Sequence, residues 1–356
     1  MNVLDRETAT TAEGPVTAKV AQGDVLVRNF WYIAAWSAEI KHELMQRWIL
    51  DQPIAMYRSE AGEVIAMADR CPHRRYPLSK GCLVGDNVQC SYHGFTFAPT
   101  GTCVSVPGQT SIPSAARVKT YPVVEKNGVV WLWPGDPSRA SVADVPNAPW
   151  ITDWTTITGY AHLNARAILL VDNLLDLSHE TYLHPSSIGT SDVAETPISV
   201  EQKDGVLHVG RRMSGAECPP FYKNSTGITG TIDRWQEIDF YPPGYYLLNI
   251  RVAPTGSTDE AYHMKVIYGI TPETGRSVHD FWAVCRDFAR VDDALSEALR
   301  AQQTFVVQED VDAVNDLERM VTSDNTNLPE ISIGIDRGGL VARRLIADLG
   351  KVEALS

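Results

Sequence analysis

The sequence has little positive charge. Its 31 lysines and arginines stand against 44 aspartates and glutamates, which gives the 356 residues a formal net charge of -13. A surface that follows the phosphates of a nucleic acid needs basic residues in excess on one face. We therefore expect no nucleic-acid partner.

Long hydrophobic runs are also missing. No stretch approaches the roughly 20 consecutive apolar residues that cross a bilayer. Residues 1–23 mix Thr, Ala and Val with charges and lack the continuous apolar segment of a signal peptide. We expect a cytoplasmic protein without a membrane span.

Cysteine is scarce, and only two of the six cysteines stand in a motif. The other four have no spacing that suggests a disulfide framework, which fits reduced thiols; they are Cys82, Cys103, Cys218 and Cys285. The motif joins Cys71-x-His73 to Cys90-x-x-His93 across sixteen residues. Two thiolates and two imidazoles fit either a tetrahedral zinc site or an iron–sulfur centre in which imidazoles replace two thiolates. Because zinc fingers usually pair Cys with Cys and His with His, zinc is the second choice.

The chain length predicts two domains. Residues 1–25 are expected to form a mobile tail. Short strand-like runs and turns over 26–135 predict a small antiparallel β domain that carries both ligand couples on loops. The Pro-, Ala- and Ser-rich stretch 136–154 predicts an exposed connector.

The second domain, 155–356, is predicted to be an antiparallel sheet flanked by helices, so that the whole chain has an α+β fold. Strands are predicted at 206–212, 245–252, 263–271 and 279–285. Helical stretches are predicted near 166–184 and 291–321.

The first helical stretch contains a second group of chemically suited side chains. Asn173, Asp176 and His179 lie three residues apart, so on a continuous helix they share one face. His184 lies about 140° further round, and both imidazoles can reach one metal only if the helix distorts or ends between them. Pro185 favours an ending, because proline disfavours helical geometry in the residue before it. The alternative is two unrelated histidines on an amphipathic helix.

A facial non-haem iron(II) site needs two histidines and one carboxylate. The second helical stretch has an apolar stripe, made by Val307, Val311 and Val314. At about 100° per residue, Asp310 borders that stripe and is the preferred third ligand, with Glu318 in reserve. Three other acids of the stretch face away from the stripe: Glu309, Asp312 and Asp316.

Taken together, these motifs resemble the oxygenase components of Rieske non-haem iron oxygenases, and most closely the vanillate O-demethylase oxygenase subunits. The resemblance spans about 27–349 and includes RNFWYIAAW, VDNLLDLSHETYLHPSSIG, the acid pair Glu309 and Asp310, and IDRGGLVARR. One departure is the bulky pair Arg75 and Tyr76 beside the first ligand couple, where relatives often have small residues.

The resemblance implies two metal centres. In a Rieske 2Fe-2S cluster, Cys71 and Cys90 would bind one iron, while the other iron would be held by His73 and His93. A mononuclear Fe(II) would be held by His179, His184 and Asp310. The same resemblance makes Asp176 the acid that links the two centres and Asn173 a neighbour of the mononuclear iron.

The partners follow from what the chain lacks and from the resemblance. Because no GxGxxG fingerprint follows a predicted strand, electrons must come from a separate NAD(P)H-dependent flavin/iron–sulfur reductase. The resemblance implies a homotrimer in which His93 and Asp176 come from neighbouring subunits.

The expected reaction is O2-dependent O-demethylation of a methoxylated, vanillate-like aromatic acid to a phenol and formaldehyde. Alternatives are hydroxylation of a methyl group on an aromatic sulfonate or chlorinated methoxybenzoate, and ring dihydroxylation. A Rieske electron carrier would need only residues 26–135, so the second ligand set argues against that function.

Overall fold

A computed structural model describes residues 24–257, 260–324 and 330–355. Most of the predicted tail, 1–25, therefore lies outside the described residues. Its last two residues belong to the folded part: the Asp24 carboxylate accepts hydrogen bonds from the backbone N–H groups of Ala167 and Ile168. The side chain of Val25 packs against Gly350.

The N-terminal part consists of three small antiparallel sheets, with strand orders β1-β10-β9, β2-β3-β4 and β5-β6-β7-β8. Their strands are β1 Tyr32–Trp36, β2 Met45–Ile49, β3 Gln52–Arg58, β4 Val64–Ala68, β5 Cys82–Val84, β6 Asn87–Gln89, β7 Thr96–Phe97, β8 Cys103–Ser105, β9 Val123–Lys126 and β10 Val129–Leu132. β1 and β10 are buried along their whole length, which explains their continuous apolar and aromatic sequences.

The C-terminal part contains an antiparallel sheet of seven strands in the order β11-β17-β16-β15-β14-β13-β12. The strands are β11 Thr155–Leu163, β12 Ser199–Lys203, β13 Val206–Ala216, β14 Ile232–Tyr241, β15 Tyr245–Pro254, β16 Tyr262–Thr274 and β17 Ser277–Arg286. The four predicted strands correspond to β13, β15, β16 and β17. The sequence prediction missed β11, β12 and β14.

The sheet is covered on both faces near its β17 side. Trp282 and Val284 of β17 pack into the core shared with the helices, while Phe281 and Ala283 pack against the N-terminal sheets. All ten residues of β17 are consequently buried. The α+β fold predicted from the sequence is confirmed.

The helices in the described ranges pack mainly on the side of the sheet away from the N-terminal part. They are α1 Trp150–Asp153, α2 Ala167–Leu175, α3 Glu180–Leu183, α4 Ser191–Glu195, α5 Pro220–Thr226, α6 Asp293–Ser323 and α7 Arg337–Ala354. None of them is both long enough and apolar enough to span a membrane.

Helix α7 was not predicted, and two glycines at its start explain its position. A Cβ atom on Gly339 would lie 2.8 Å from the Asp172 carboxylate of α2, and one on Gly338 would lie 3.1 Å from a methyl group of Val209. The glycines therefore allow α7 to approach α2 closely. Arg343 then pairs with Asp172 at 2.6 Å.

The stretch 136–154 is not exposed throughout, contrary to the prediction. Val145 and Ala148 are almost fully buried, and they pack with Trp131 and Phe281 in a core that joins the two parts of the chain. The Pro-, Ala- and Ser-rich composition of the stretch suits its tight turns, and only two of its apolar residues, Val145 and Ala148, are buried in that core.

Glu318 is buried as its angle on the helix predicted, but it faces a different partner. Its carboxylate pairs with the Arg166 guanidinium at 2.7 Å, and both side chains are buried. This ion pair ties α6 to the residue that precedes α2. Glu318 is therefore not available as the reserve metal ligand.

Candidate active site

The two cysteine–histidine couples lie on two loops with the same backbone hydrogen bonds. The N–H of Cys71 donates to the carbonyl of Tyr76, and the N–H of Arg75 donates to the carbonyl of Cys71. Cys90 makes the matching pair of bonds with Phe95 and Gly94. Each loop is thus a turn closed around its cysteine.

The fourth residue after each cysteine adopts a left-handed backbone conformation. Its φ angle is 62° at Arg75 and 73° at Gly94. Only glycine adopts this conformation without steric cost. Arg75 therefore occupies a strained position in the first of the two loops.

The cysteines of the loops are buried and the histidines are exposed. Cys71 and Cys90 are about 2% and 1% exposed, whereas His73 and His93 lie at the surface with their ring centroids 4.6 Å apart. Burial and the neighbouring Cys90 thiol raise the pKa of Cys71, while backbone N–H groups of His73 and Arg74 act in the opposite direction. N–H groups directed at a sulfur are one means by which proteins adjust the potential of an iron–sulfur cluster.

The second group of residues does not lie on one continuous helix, which corrects the sequence interpretation. Helix α2 ends at Leu175, and Asp176 leaves helical geometry with φ -113° and ψ 85°. Its carboxylate accepts hydrogen bonds from the N–H and hydroxyl of Ser178 at 3.0 and 2.6 Å. Asp176 therefore begins a new short turn, and this turn redirects His179.

The chain bends again between the two histidines, as the sequence predicted. α3 spans only Glu180–Leu183, and His184 lies just outside it with φ -117° and ψ 41°. The two imidazole centroids are 5.2 Å apart, with their planes at 75°. The interruption thus brings together two side chains that an unbroken helix would separate.

His179, His184 and Asp310 form a compact group whose potential ligand atoms all lie within 4.8 Å of one another. The Nε2 atoms of the two imidazoles lie 3.4 and 3.2 Å from Oδ1 of Asp310. Asp310 and His184 are buried. Two imidazoles and one carboxylate in this arrangement are the donor set that non-haem iron(II) takes in a facial triad.

Each imidazole is fixed through its other nitrogen. Nδ1 of His179 donates to the Asp176 carbonyl at 2.6 Å, and Nδ1 of His184 donates to the Glu309 carboxylate at 2.7 Å. Such acceptors set the tautomer and orientation of histidines that bind metals. The sequence interpretation gave Glu309 no role, although the need for such an acceptor was a signal that could have identified it.

Asp310 is held by a third neighbour. The side-chain amide of Asn173 donates to its Oδ1 at 3.1 Å. Burial opposes ionisation of Asp310, but the hydrogen bonds from His179 and His184 outweigh it and lower its pKa to about 2. The carboxylate is therefore ionised at neutral pH, as a cation ligand must be.

The three side chains line a partly open cavity between the sheet and the helices. Its wall is mostly apolar and comes from the sheet and from α2, α5 and α6; it includes Leu174, Phe221, Leu248, Ile250, Val266 and Val306. A few polar groups interrupt the wall: Glu180, Arg234, Tyr246, Tyr268 and Gln303. A mostly apolar cavity with a few polar groups is the usual character of sites that bind small organic molecules.

A second groove lies outside the cavity. Asn173 and Asp176 line it together with Asp172, Glu330 and Arg343. In the described parts of the chain, His93 makes no hydrogen bond to Asp176. The link between the two centres that the resemblance implied is therefore not formed within one chain.

Family models match the chain in two places. The model of the Rieske 2Fe-2S domain matches residues 30–122, and that of the vanillate O-demethylase oxygenase C-terminal domain matches residues 163–351, more than half of the chain. The chain belongs to the Rieske non-haem iron oxygenases. It is an enzyme, the monooxygenase-type oxygenase component of a multi-component system, as the sequence predicted.

Individual relatives cover nearly the whole chain. The toluene-4-sulfonate monooxygenase system iron–sulfur subunit of Comamonas testosteroni is 35% identical over 92% of this chain and 98% of its own length. A vanillate O-demethylase oxygenase subunit from Pseudomonas sp. (strain HR199 / DSM 7063) is 33% identical, covering 90% and 93%. The structure of dicamba monooxygenase with non-heme iron and dicamba superposes with a TM-score of 0.81, 32% identity, and coverage of 93% and 99%.

These findings confirm both predicted cofactors, a Rieske 2Fe-2S cluster and a mononuclear iron. The donor set of each group fits its cofactor. Buried thiols with exposed imidazoles suit a cluster that exchanges electrons at the surface, and the triad, with His184 and Asp310 buried, suits an iron that faces an apolar cavity.

Glu309→Gln tests the anchoring of His184. The amide is a weaker acceptor than the carboxylate, so we expect the affinity for mononuclear iron to fall by about 10- to 100-fold while the cluster colour stays. Iron retention during dialysis against a graded chelator series measures the effect. Asp312→Asn is the matched control, because this exposed acid on the same helix accepts its hydrogen bond from Gln308, a neighbour one turn away, and not from a triad residue. Equal iron retention in both variants would contradict the assignment.

Proposed function

We propose that the chain oxidises a methyl group of an aromatic acid, with iron held by His179, His184 and Asp310 and the cluster held by Cys71, His73, Cys90 and His93. The observation that carries the proposal is the placement of the triad in the wall of a mostly apolar cavity. Under this proposal, residues 26–135 form the cluster domain and residues 155–356 form the catalytic domain.

An iron bound by the triad would supply oxygen activation at coordination positions that the three side chains leave open. The residues around the triad hold its ligand side chains in place. Asp176 and Glu309 hold the two imidazoles through their Nδ1 atoms, and Asn173 holds the carboxylate of Asp310. The apolar wall excludes water and positions the substrate.

The proposed reaction is oxidative O-demethylation of a vanillate-like methoxybenzoate. One oxygen atom of O2 enters the methyl C–H bond, and the resulting hemiacetal breaks down to a phenol and formaldehyde. The other oxygen atom leaves as water with two electrons from NAD(P)H and two protons. The vanillate and dicamba relatives support this substrate class.

Hydroxylation of a ring-bound methyl group on an aromatic sulfonate is the second candidate. The relative from Comamonas testosteroni, which matches 92% of the chain at 35% identity, favours it. Both reactions require the protein to hold a methyl carbon beside the iron. The substrate, not the metal site, distinguishes them.

Electrons are proposed to come from an NAD(P)H-dependent flavin/iron–sulfur reductase and to pass between neighbouring subunits of a homotrimer. Two observations support transfer between subunits: the cluster histidines are exposed, and Asp176 lines an open surface groove. One oxygen of the Asp176 carboxylate holds Ser178, and the other has no partner among the described residues. A cytoplasmic location stays a prediction.

Subunit complementation tests the transfer path. Cys90→Ala should remove the cluster, and His179→Ala should remove the mononuclear iron, so each variant alone is inactive. When the two are co-expressed and the mixed oligomer is purified through two different tags, transfer between subunits predicts that a measurable fraction of turnover returns. Transfer within each subunit predicts none. Separately expressed variants mixed only in the assay serve as the control.

Product analysis tests the reaction. With a compatible reductase, NADH and vanillate, we expect formaldehyde to appear in step with the oxygen consumed, and benzoate, which has no methyl group, to give none. A cis-dihydrodiol would contradict the proposal. Formaldehyde only from chlorinated methoxybenzoates would refute vanillate and keep the reaction, and an alcohol formed from 4-toluenesulfonate alone would favour the second candidate.

A further inference from the structure

Two tyrosines on neighbouring strands line the cavity that contains the triad. Tyr246 of β15 and Tyr268 of β16 are directly opposite each other in the sheet register. Their ring centroids are 5.5 Å apart in an edge-to-face arrangement. Both residues contribute to the cavity wall, together with His179, His184 and Asp310.

The hydroxyl groups of these tyrosines have hydrogen-bonding capacity to spare. Among the described residues, the buried hydroxyl of Tyr246 has no hydrogen-bond partner. The hydroxyl of Tyr268 accepts a hydrogen bond from the side-chain amide of Gln303 at 3.0 Å, so its own proton remains to be donated. A buried polar group without a partner is costly, and it therefore points to a ligand that completes it.

Charged groups of both signs lie next to the tyrosines. The buried guanidinium group of Arg211 and the carboxylates of Glu180 and Asp310 lie near Tyr246. A second buried guanidinium group, of Arg234, lies in the cavity wall. Both oxygens of Glu180 are already engaged, one by Arg234 at 2.7 Å and one by Gln236 at 2.8 Å. Glu180 is thus engaged by the protein itself, and Asp310 belongs to the triad, where a bound iron would offset its charge.

One further donor faces the same region. Nε of Arg234, a residue of the cavity wall, has no acceptor in the part of the chain that the structure describes. Burial also raises the pKa of both tyrosines well above the ordinary value, which keeps their hydroxyls protonated. The polar side of the cavity consequently offers several hydrogen-bond donors, and the guanidinium group of Arg234 is one of them.

We propose that Tyr246 and Tyr268 bind the ionised acid group of the substrate, a carboxylate or sulfonate, with Arg234 beside them. An acid group accepts hydrogen bonds through every oxygen, and its negative charge needs compensation when it leaves water. This assignment rests on the proposed function, in which an aromatic acid presents its methyl carbon to the triad. It adds that the enzyme selects the anion over a neutral analogue of the same shape.

Two probes of equal size test the assignment: 4-methylbenzoate, which carries the charge, and 4-methylbenzamide, which does not. Their dissociation constants are measured by titration calorimetry on the oxidised holoenzyme, so that no turnover is needed. We expect the wild type to bind the benzoate at least tenfold more tightly. Tyr246→Phe and Tyr268→Phe, which remove only a hydroxyl group, should each weaken benzoate binding by about tenfold and change amide binding by less than twofold.

Tyr245→Phe is the matched control. This tyrosine is the neighbour of Tyr246 on the same strand, is equally buried, and also has an unpartnered hydroxyl among the described residues, but it packs against Trp131 on the other face of the sheet. Its variant should bind both probes as the wild type does.

Three outcomes would overturn the assignment: a wild type that binds the two probes equally or binds neither, tyrosine variants with unchanged benzoate affinity, or variants that lose both probes to the same extent. The last result would indicate a structural role for the hydroxyl groups. Because the assay measures binding alone, preference for the benzoate would support the assignment even if formaldehyde were never formed. Failure of the proposed reaction and failure of this assignment are therefore distinguishable.

Discussion

The site depends on one buried carboxylate, that of Asp310, which three neighbouring side chains contact. Oδ1 of Asp310 receives the amide of Asn173 and faces Nε2 of both His179 and His184. Asn173 lies on α2, His179 and His184 lie on the turns that follow α2, and Asp310 lies on α6. Their meeting therefore requires α2 and α6 to pack at a defined distance. A small shift of either helix would separate the imidazoles from the carboxylate, because metal ligands tolerate little error in position.

Ion pairs fix the helices and turns around that carboxylate, and two of them, Arg166 with Glu318 and Arg234 with Glu180, are buried. Arg166 and Glu318 join the start of α2 to α6, and Arg343 of α7 pairs with Asp172 of α2. Glu180, the residue after His179, is held by Arg234 from the sheet. Removing one partner of a buried pair typically costs about 3–5 kcal/mol, because the remaining charge stays buried and unpaired. The charged groups around the site therefore bind its elements together as well as surrounding its cavity.

The sequence was sufficient to select candidate ligands whose spacing is typical of metal sites. The two cysteine–histidine couples, the His179 and His184 pair and Asp310 could all be selected from spacing and helical angle, and the structure brings the last three together. Features that depend on contacts distant in sequence could not be found in this way. Glu309 faces away from the apolar stripe of α6 and yet its carboxylate accepts a hydrogen bond from His184. Helix α7 was not predicted because glycines disfavour helix formation, and its position is set by packing on α2.

Iron and acid-labile sulfide analysis, combined with electron paramagnetic resonance of the reduced protein, tests the central claim of two separate metal centres most directly. The account predicts three irons, two sulfides and no zinc per chain. It also predicts that His179→Ala lowers the iron content to two while the sulfide content and the signal of the reduced cluster persist. One zinc without sulfide, or loss of the cluster signal in the His179→Ala variant, would contradict it.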